Sequence, residues 1–220
     1  MIVAAVGLAR EARIIAGPDM TVAIGACNPE RLREQLPTAA QGARAVISFG
    51  LAGALSPMLK PGVCIVASAV HAGPQTFQAD RTWTEAVRSR LPNAILGEIA
   101  GADTIVTSAG QKRRLFAKTG AIAVDTESHI AAAAAAERNI PFLALRAICD
   151  GAEMDLPDAA ARAIRPDGTT NLAAVLQSVL AKPGQIPLLI RTGRDAEAAF
   201  AALRRCRELL GPRLGFAEAA

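Results

Sequence analysis

Short apolar runs alternate with polar, helix-forming stretches along most of this chain. The alternation is clearest between positions 121 and 150. Ala121–Val124 is short, apolar and partly β-branched, which is typical of a strand. The alanine run Ala131–Ala136 predicts a helix thin enough to lie close to a sheet. Phe142–Ile148 is an apolar run of the length of a buried strand, so this part of the chain predicts strand, helix, strand.

Polar residues mark the ends of that predicted helix. Asp125 or Thr126 is suited to cap its start, because a short side-chain oxygen can accept the free N–H groups of the first turn. Asn139 favours a helix end, and Pro141 prevents the helix from resuming.

The same alternation predicts the remaining elements. Further strands are predicted at Ile2–Val6, Thr21–Ala26, Ala43–Ser48, Val63–Ala67 and Thr104–Thr107, with an edge strand at Ala94–Ile99. Helices are predicted to begin at Leu8 and to span Glu30–Leu36, Trp83–Leu91, Lys112–Lys118, Asn171–Leu180 and Asp195–Leu210, with Lys182–Gly193 as a Pro/Gly-containing link. Alternating strands and helices predict an α/β fold. We expect a single three-layer domain over residues 1–220, with a central mixed, twisted sheet flanked by helices.

Chemically active side chains follow the predicted strands. Glu127 and Asp150 come just after two successive strands, and this edge of an open α/β sheet is where ligands bind. Gly7 follows the first strand and opens a helix, whose free N–H groups can hold an anion. Phe49–Leu55 is a Gly/Ala-rich loop after a strand, where a small ligand can approach the backbone. It matches neither a dinucleotide-binding fingerprint nor a Walker loop.

Composition removes several classes of function. Only 3% of the residues are aromatic, and the net charge is +4, so we expect no nucleic-acid partner. The basic run Lys112–Arg114 is interpreted as a solvated helix face. The four cysteines show no metal-ligand spacing, so we expect reduced, buried thiols and no metal. Without a signal peptide or membrane-spanning run, we expect a cytoplasmic location.

Three stretches resemble the superfamily of purine nucleoside phosphorylases and methylthioadenosine/adenosylhomocysteine nucleosidases. They are the strand ending at Gly7, VISFGLAGALSPMLKPGVCIVAS from position 46, and AVDTESHIAAAAAAERNIPFLALRAICD ending at position 150. The last is the most specific, because its spacing from Glu127 to Asp150 fits the family pattern. The GLAREAR start and a later PLL…GRD segment are most similar to the hopanoid-associated phosphorylases.

The resemblance implies cleavage of an N-glycosidic bond in a purine nucleoside. By the family pattern, Asp150 protonates purine N7 and Glu127 holds the ribose 2′-hydroxyl. The base-binding positions would be Ser108, Ala109, Gly110, Asp125 and Thr126. Arg146 is expected to form a structural ion pair with a neighbouring carboxylate.

Two nucleophiles are compatible with the sequence, phosphate and water. The resemblance favours phosphorolysis of an adenosine derivative such as adenosylhopane, with phosphate as co-substrate and no other cofactor. The candidate phosphate-site residues are Gly7, Arg10, Glu11, Arg44, Gly50, Leu51, Ala52 and Gly53. Alternatively, Glu11 activates water, although the family's glutamate aligns best with Ala12. A third possibility is a protein that binds nucleosides without catalysis.

Partners follow from the same resemblance. We expect a homo-oligomer and, if the substrate is a lipid, contact with a membrane surface. Leu51, Leu55 and Met58 are candidates for an apolar groove beside the site, although a core position is the preferred interpretation for them.

Overall fold

The computed structural model describes residues 1–157, 165, 167–169, 184 and 186–217. Its strands are β1 Ile2–Val6, β2 Met20–Ile24, β3 Ala45–Ala54, β4 Cys64–Ala72, β5 Gln75–Gln78, β6 Ile95–Gly101, β7 Ala123–Asp125 and β8 Phe142–Asp150. Its helices are α1 Ala9–Ile15, α2 Pro29–Ala39, α3 Arg81–Arg90, α4 Ala109–Thr119, α5 Ser128–Glu137 and α6 Ile186–Leu210. A mixed sheet flanked by helices confirms the predicted α/β fold.

Five of the strands pair to form a closed ring. β3 pairs with β7 and β8 on its two sides, β7 continues to β6, β6 to β4, and β4 returns to β8. β1 and β2 extend this ring as parallel strands beyond β3, and β5 pairs antiparallel with β4. Because β3 has β7 on one side and β8 on the other, the ends of these two strands lie on either side of it. Glu127 follows the end of β7, and Asp150 is the last residue of β8.

The strand β3 is longer than the sequence predicts. Gly50–Ala54 was expected to form a loop, but it continues the strand because Gly53 pairs with both Asp150 of β8 and Val124 of β7. The small residues here therefore serve close packing between strands.

Two other strand predictions are wrong, and one strand was missed. Thr104–Thr107 lies in irregular chain before α4. Its β-branched residues pair with none of the described strands, and the carbonyl of Thr107 instead accepts a backbone hydrogen bond from Leu156. β6 lies between β4 and β7 rather than at an edge, and β5 was not predicted at all.

The helix α6 begins nine residues before the predicted Asp195. It runs through Gly193, which was assigned to a link. Its buried residues Ala199, Phe200, Leu203, Cys206 and Leu210 recur every three or four positions and pack in the same core as Leu143 and Leu145 of β8. The predicted helix Asn171–Leu180 lies outside the described residues.

The helix α5 has the ends that the sequence predicts. Asp125 Oδ1 accepts hydrogen bonds from the N–H groups of Glu127, at 3.0 Å, and Ser128, at 2.7 Å. Asn139, just beyond the helix, has φ +52°, a left-handed conformation that asparagine tolerates. The start of this helix is therefore fixed at the end of β7.

Two further findings concern the cysteines and the membrane. Cys206 is buried, whereas Cys27, Cys64 and Cys149 are only partly buried, so the expectation of buried thiols holds for one of the four. Within the described ranges, every helix is too short or too polar to cross a bilayer.

Candidate active site

A buried arginine lies at the centre of the polar cluster. Arg146, on β8, is fully buried. Its Nε lies 2.8 Å from Asp125 Oδ2, and its Nη1 lies 3.2 Å from Glu127 Oε2. It also donates hydrogen bonds to the hydroxyl of Ser48 and the carbonyl of Leu51. A buried charge needs such partners, and the expectation of a structural ion pair is confirmed.

Glu11 enters the same cluster from α1. Its carboxylate accepts hydrogen bonds from the N–H groups of Gly7 and Leu8, both at 2.8 Å, and of Leu51, at 2.7 Å. Burial and then the charge of Glu127 raise the pKa of Glu11 to about 7, against the opposing effects of Arg146 and the backbone donors. A carboxyl group with this pKa can accept a proton near neutral pH.

Glu127 lies beside Gly7, just after β7. The hydroxyl of Thr126 donates a hydrogen bond to its Oε1. A Cβ added at Gly7 would lie 2.8 Å from that same oxygen, so a larger residue there would displace this carboxylate. Burial, partly offset by Arg146, raises the pKa of Glu127. Two acidic residues from distant parts of the sequence thus lie close together.

Asp150 forms the second part of the site. It ends β8, is 3% exposed and pairs with the ammonium group of Lys112 on α4. The interpretation of Lys112 as part of a solvated basic face is wrong, since its side chain is 0% exposed. One sequence signal was available. A lysine in the first turn of a helix is unfavourable for the helix dipole and therefore needs a specific partner.

The glycines of β3 bring these groups close to its backbone. A Cβ at Gly50 would lie 2.7 Å from Arg146 Nη1, and one at Gly53 would lie 3.2 Å from Asp150 Oδ2. Leu51 contributes its backbone N–H and C=O, whereas Ala52 packs in the hydrophobic core. The predicted segment therefore lines the site mainly through its backbone.

A family model described as "Phosphorylase superfamily" matches residues 20–181. The chain belongs to the phosphorylase superfamily. This membership confirms the predicted superfamily and the prediction of an enzyme. It does not separate phosphorylases from nucleosidases, and it leaves the hopanoid-associated branch a prediction.

Solved structures of similar fold include two nucleosidases and a hydrolase. Futalosine hydrolase of Helicobacter pylori strain 26695 has a TM-score of 0.64 and 17% identity, over 82% of this chain and 97% of that one. S-adenosylhomocysteine nucleosidase from Streptococcus pyogenes has a TM-score of 0.63 and 16% identity, over 93% of this chain and 96% of that one. The 5′-methylthioadenosine/S-adenosylhomocysteine nucleosidase from Helicobacter pylori has a TM-score of 0.65 and 15% identity, over 93% of this chain and 96% of that one. A comparison with curated proteins finds no match. At these identities the similarity shows the fold alone.

The predicted base-binding residues of this superfamily member fall into two groups. Ser108 caps α4, and the N–H of Ala109 donates a hydrogen bond to Asp155 Oδ1 at 2.7 Å, so the segment including Gly110 is tied to the chain that follows Asp150. Asp125 and Thr126 instead bond within the polar cluster. Asp125 thus bonds to the start of α5 and pairs with Arg146, and base binding by Asp125 and Thr126 stays a prediction.

The structure does not bring the two predicted phosphate-binding arginines to the polar cluster. Arg10 pairs with Glu197 of α6, with 2.7 Å between Nη2 and Oε2, and its guanidinium lies 4.0 Å from the centre of the Phe200 ring. Arg44 precedes β3 at the end opposite Gly50, where its N–H bonds to the carbonyl of Met1. The prediction that Arg44 joins the phosphate site is wrong.

The predicted apolar residues do not form one surface. Leu55 is buried in the core, which agrees with the preferred interpretation, whereas Met58 is 84% exposed and Leu51 is partly buried.

Proposed function

We propose that this protein hydrolyses the N-glycosidic bond of a purine nucleoside, with adenosine derivatives as the substrate class. The observation that carries the proposal is the buried Glu11 carboxylate, which lies beside Glu127 and has a pKa of about 7. A general base with a pKa near the working pH is suited to remove a proton from water.

The other acidic residues take complementary roles. Asp150 donates a proton to purine N7 as the bond between C1′ and N9 breaks and its electron pair passes to the base. Glu127 accepts a hydrogen bond from the ribose 2′-hydroxyl, and its charge favours the positive charge that develops on the sugar. Water adds to C1′ and gives its proton to Glu11. The products are the free purine and the free sugar.

Electrostatics support water over phosphate. Phosphate would enter beside Glu11 and Glu127, and like charges repel at close range. The neighbouring cation Arg146 already serves Asp125 and Glu127. The N–H groups of the Gly7 turn, which were expected to bind phosphate, are occupied by Glu11. The nucleosidases and the hydrolase among the similar structures also support hydrolysis.

Phosphorolysis of adenosylhopane to adenine and a ribose 1-phosphate product is the second candidate. The similarity of Gly7–Arg13 to the start of hopanoid-associated phosphorylases favours it. This candidate would place the protein in hopanoid synthesis and would allow it to contact a membrane surface.

The role of Glu11 is tested by substitution. Glu11→Gln keeps the size of the side chain but cannot accept a proton from water. We expect adenine release from 5′-methylthioadenosine or S-adenosylhomocysteine to fall by about 10²–10⁴-fold. The matched control is Glu30→Gln, at an exposed position in the first turn of α2, which should leave the rate unchanged. A Glu11→Gln variant as active as the wild type would contradict the role of this residue.

A further inference from the structure

A lysine completes the Asp150 site. Lys112 is the fourth residue of α4, and its side chain is fully buried. Its Nζ donates hydrogen bonds to Asp150 Oδ2, to the carbonyl of Gly151 at 2.8 Å and to the carbonyl of Met154 at 2.9 Å. An ammonium group has three hydrogens, so all of them are used. This arrangement fixes one oxygen of the Asp150 carboxylate.

Burying this pair is not the simplest way to stabilise the fold. Desolvation of two charges is costly, and apolar side chains of similar volume often replace a buried ion pair without loss of stability. The neighbours Gln111 and Arg113 on the same helix are exposed, so Lys112 is the one of these three residues whose side chain is buried. The position of Lys112 therefore points to an effect on Asp150.

Among the residues that the structure describes, the second oxygen of Asp150 has a weaker partner. The thiol of Cys149 donates to Oδ1 at 3.1 Å. Burial and the charge of Asp150 raise the pKa of Cys149 well above its ordinary value, so this group stays a protonated donor. A thiol is a weak donor, and an oxygen has two lone pairs, so Oδ1 can still engage a ligand.

We propose that Lys112 is a positioning residue for the acid Asp150. By occupying Oδ2, it assigns the contact with purine N7 to Oδ1, and its charge stabilises the carboxylate that forms when the proton leaves. The inference rests on the proposed function. In the step, the Oδ1–H bond breaks and an N7–H bond forms, while Lys112 keeps its three protons.

Lys112 also links the acid to the predicted base-binding segment. It lies on the helix that Ser108 caps, and its bonds to Gly151 and Met154 hold the chain after β8 against the start of α4. The bond from the N–H of Leu156 to the carbonyl of Thr107, at 2.7 Å, reinforces this contact. A change at Lys112 should therefore alter how Asp150 faces the purine.

A binding experiment tests the assignment without needing catalysis. Adenine is compared with 7-deazaadenine, which carries C–H in place of N7, by calorimetry. The wild type should bind adenine about tenfold more tightly, since one hydrogen bond is lost with the analogue. Lys112→Met should bind the two ligands equally. The inference is overturned if the wild type does not distinguish them, or if Lys112→Met keeps the wild-type ratio.

Two further variants keep this comparison decisive. Lys118 lies on the same helix at an exposed position, and the Lys118→Met variant should bind the two ligands with the wild-type ratio. Lys112→Gln retains hydrogen-bond donors and replaces Lys112→Met if circular dichroism shows that Lys112→Met is unfolded. It should also lose the preference for adenine.

A kinetic comparison separates positioning from a structural role. p-Nitrophenyl β-D-ribofuranoside has a leaving group that needs no proton. Lys112→Met should slow purine release by about 10²-fold but leave release of p-nitrophenolate close to the wild-type rate. Equal losses on both substrates would overturn the inference. If the wild type cleaves no nucleoside yet distinguishes adenine from 7-deazaadenine through Lys112, the proposed function fails and the positioning of Asp150 stands.

Discussion

Each carboxylate of the polar cluster is held by a different set of donors. Glu11 uses backbone N–H groups, Glu127 uses Thr126 and Arg146, and Asp125 uses the start of α5 together with Arg146. Burial raises the pKa of Glu11 and of Glu127, and the nearby cation Arg146 offsets this effect only in part. These two carboxylates therefore bind a proton more tightly than a surface carboxylate would.

The raised pKa of Glu11 has a consequence for stability. Its pKa is about 7 in the folded protein, compared with 4.5 for an unperturbed glutamate. The folded state therefore holds a proton that the unfolded chain releases. The stabilisation from this proton is complete below pH 4.5 and is lost as the pH rises to about 7.

We therefore predict that Glu11→Gln gains stability relative to the wild type as the pH rises through that window. The gain should be about 1.4 kcal/mol for each pH unit, because the variant has no proton to lose. Urea unfolding of both proteins at several pH values between 4.5 and 8 measures it. A stability difference that does not change with pH would show that Glu11 is not perturbed.

At the residue scale, the sequence identified most of the acidic groups but not their partners. Glu127, Asp150 and Glu11 follow from motifs and from glycine turns. Lys112 was missed, because its position in the first turn of α4 signals a partner without naming it, and its burial depends on contacts with the chain after Asp150. Arg44 was misplaced because the sequence does not show which end of β3 carries the site.

At the scale of elements, the start of α6 differs most from the sequence-based prediction. Pro187 and Gly193 suggested a link, yet both lie within the helix. A proline is tolerated in the first turn, where its missing N–H would have no helical partner. Gly193 is exposed, and a Cβ added there would meet no atom within 4 Å. The turn signals of these two residues were therefore overridden by the helix around them.

This arrangement predicts that Gly193→Ala stabilises the protein by about 0.5–1 kcal/mol, the difference in helix propensity between the two residues. Thermal or urea unfolding measures the gain, and activity should not change. Gly110→Ala offers a comparison within α4, near its start, where helix propensity has a smaller effect. A loss of stability in Gly193→Ala would mean that α6 does not pass through this position.

Strand predictions failed where pairing is not local. β3 was predicted to end at Ser48 because the residues that follow are small, and only its pairing with β7 and β8 shows that it continues. Thr104–Thr107 has the β-branched composition of a strand but pairs with no strand in the part of the chain that the structure describes. Composition describes what a segment can form, whereas the partner strand determines what it does form.

At the scale of the whole molecule, the closed ring of strands creates the site. β7 and β8 lie on opposite sides of β3. β1 pairs with β3 on the same side as β7, so α1, which follows β1, brings Glu11 to the ends of β7 and β8. The α/β class and the mixed sheet were predictable from the alternation of elements. The closure was not, because it depends on the pairing of β4 with β8, which are far apart in the sequence. A homo-oligomer remains a prediction.

The most direct test of the central claim identifies the sugar product. The purified protein is incubated with an adenosine-type nucleoside, ideally including adenosylhopane, in buffer with and without phosphate. Mass spectrometry then follows the sugar, and Asp150→Ala serves as the inactive control. We predict a free sugar and equal adenine release in both buffers, with release lost in Asp150→Ala. A sugar 1-phosphate, formed only when phosphate is present, would contradict hydrolysis and establish a phosphorylase.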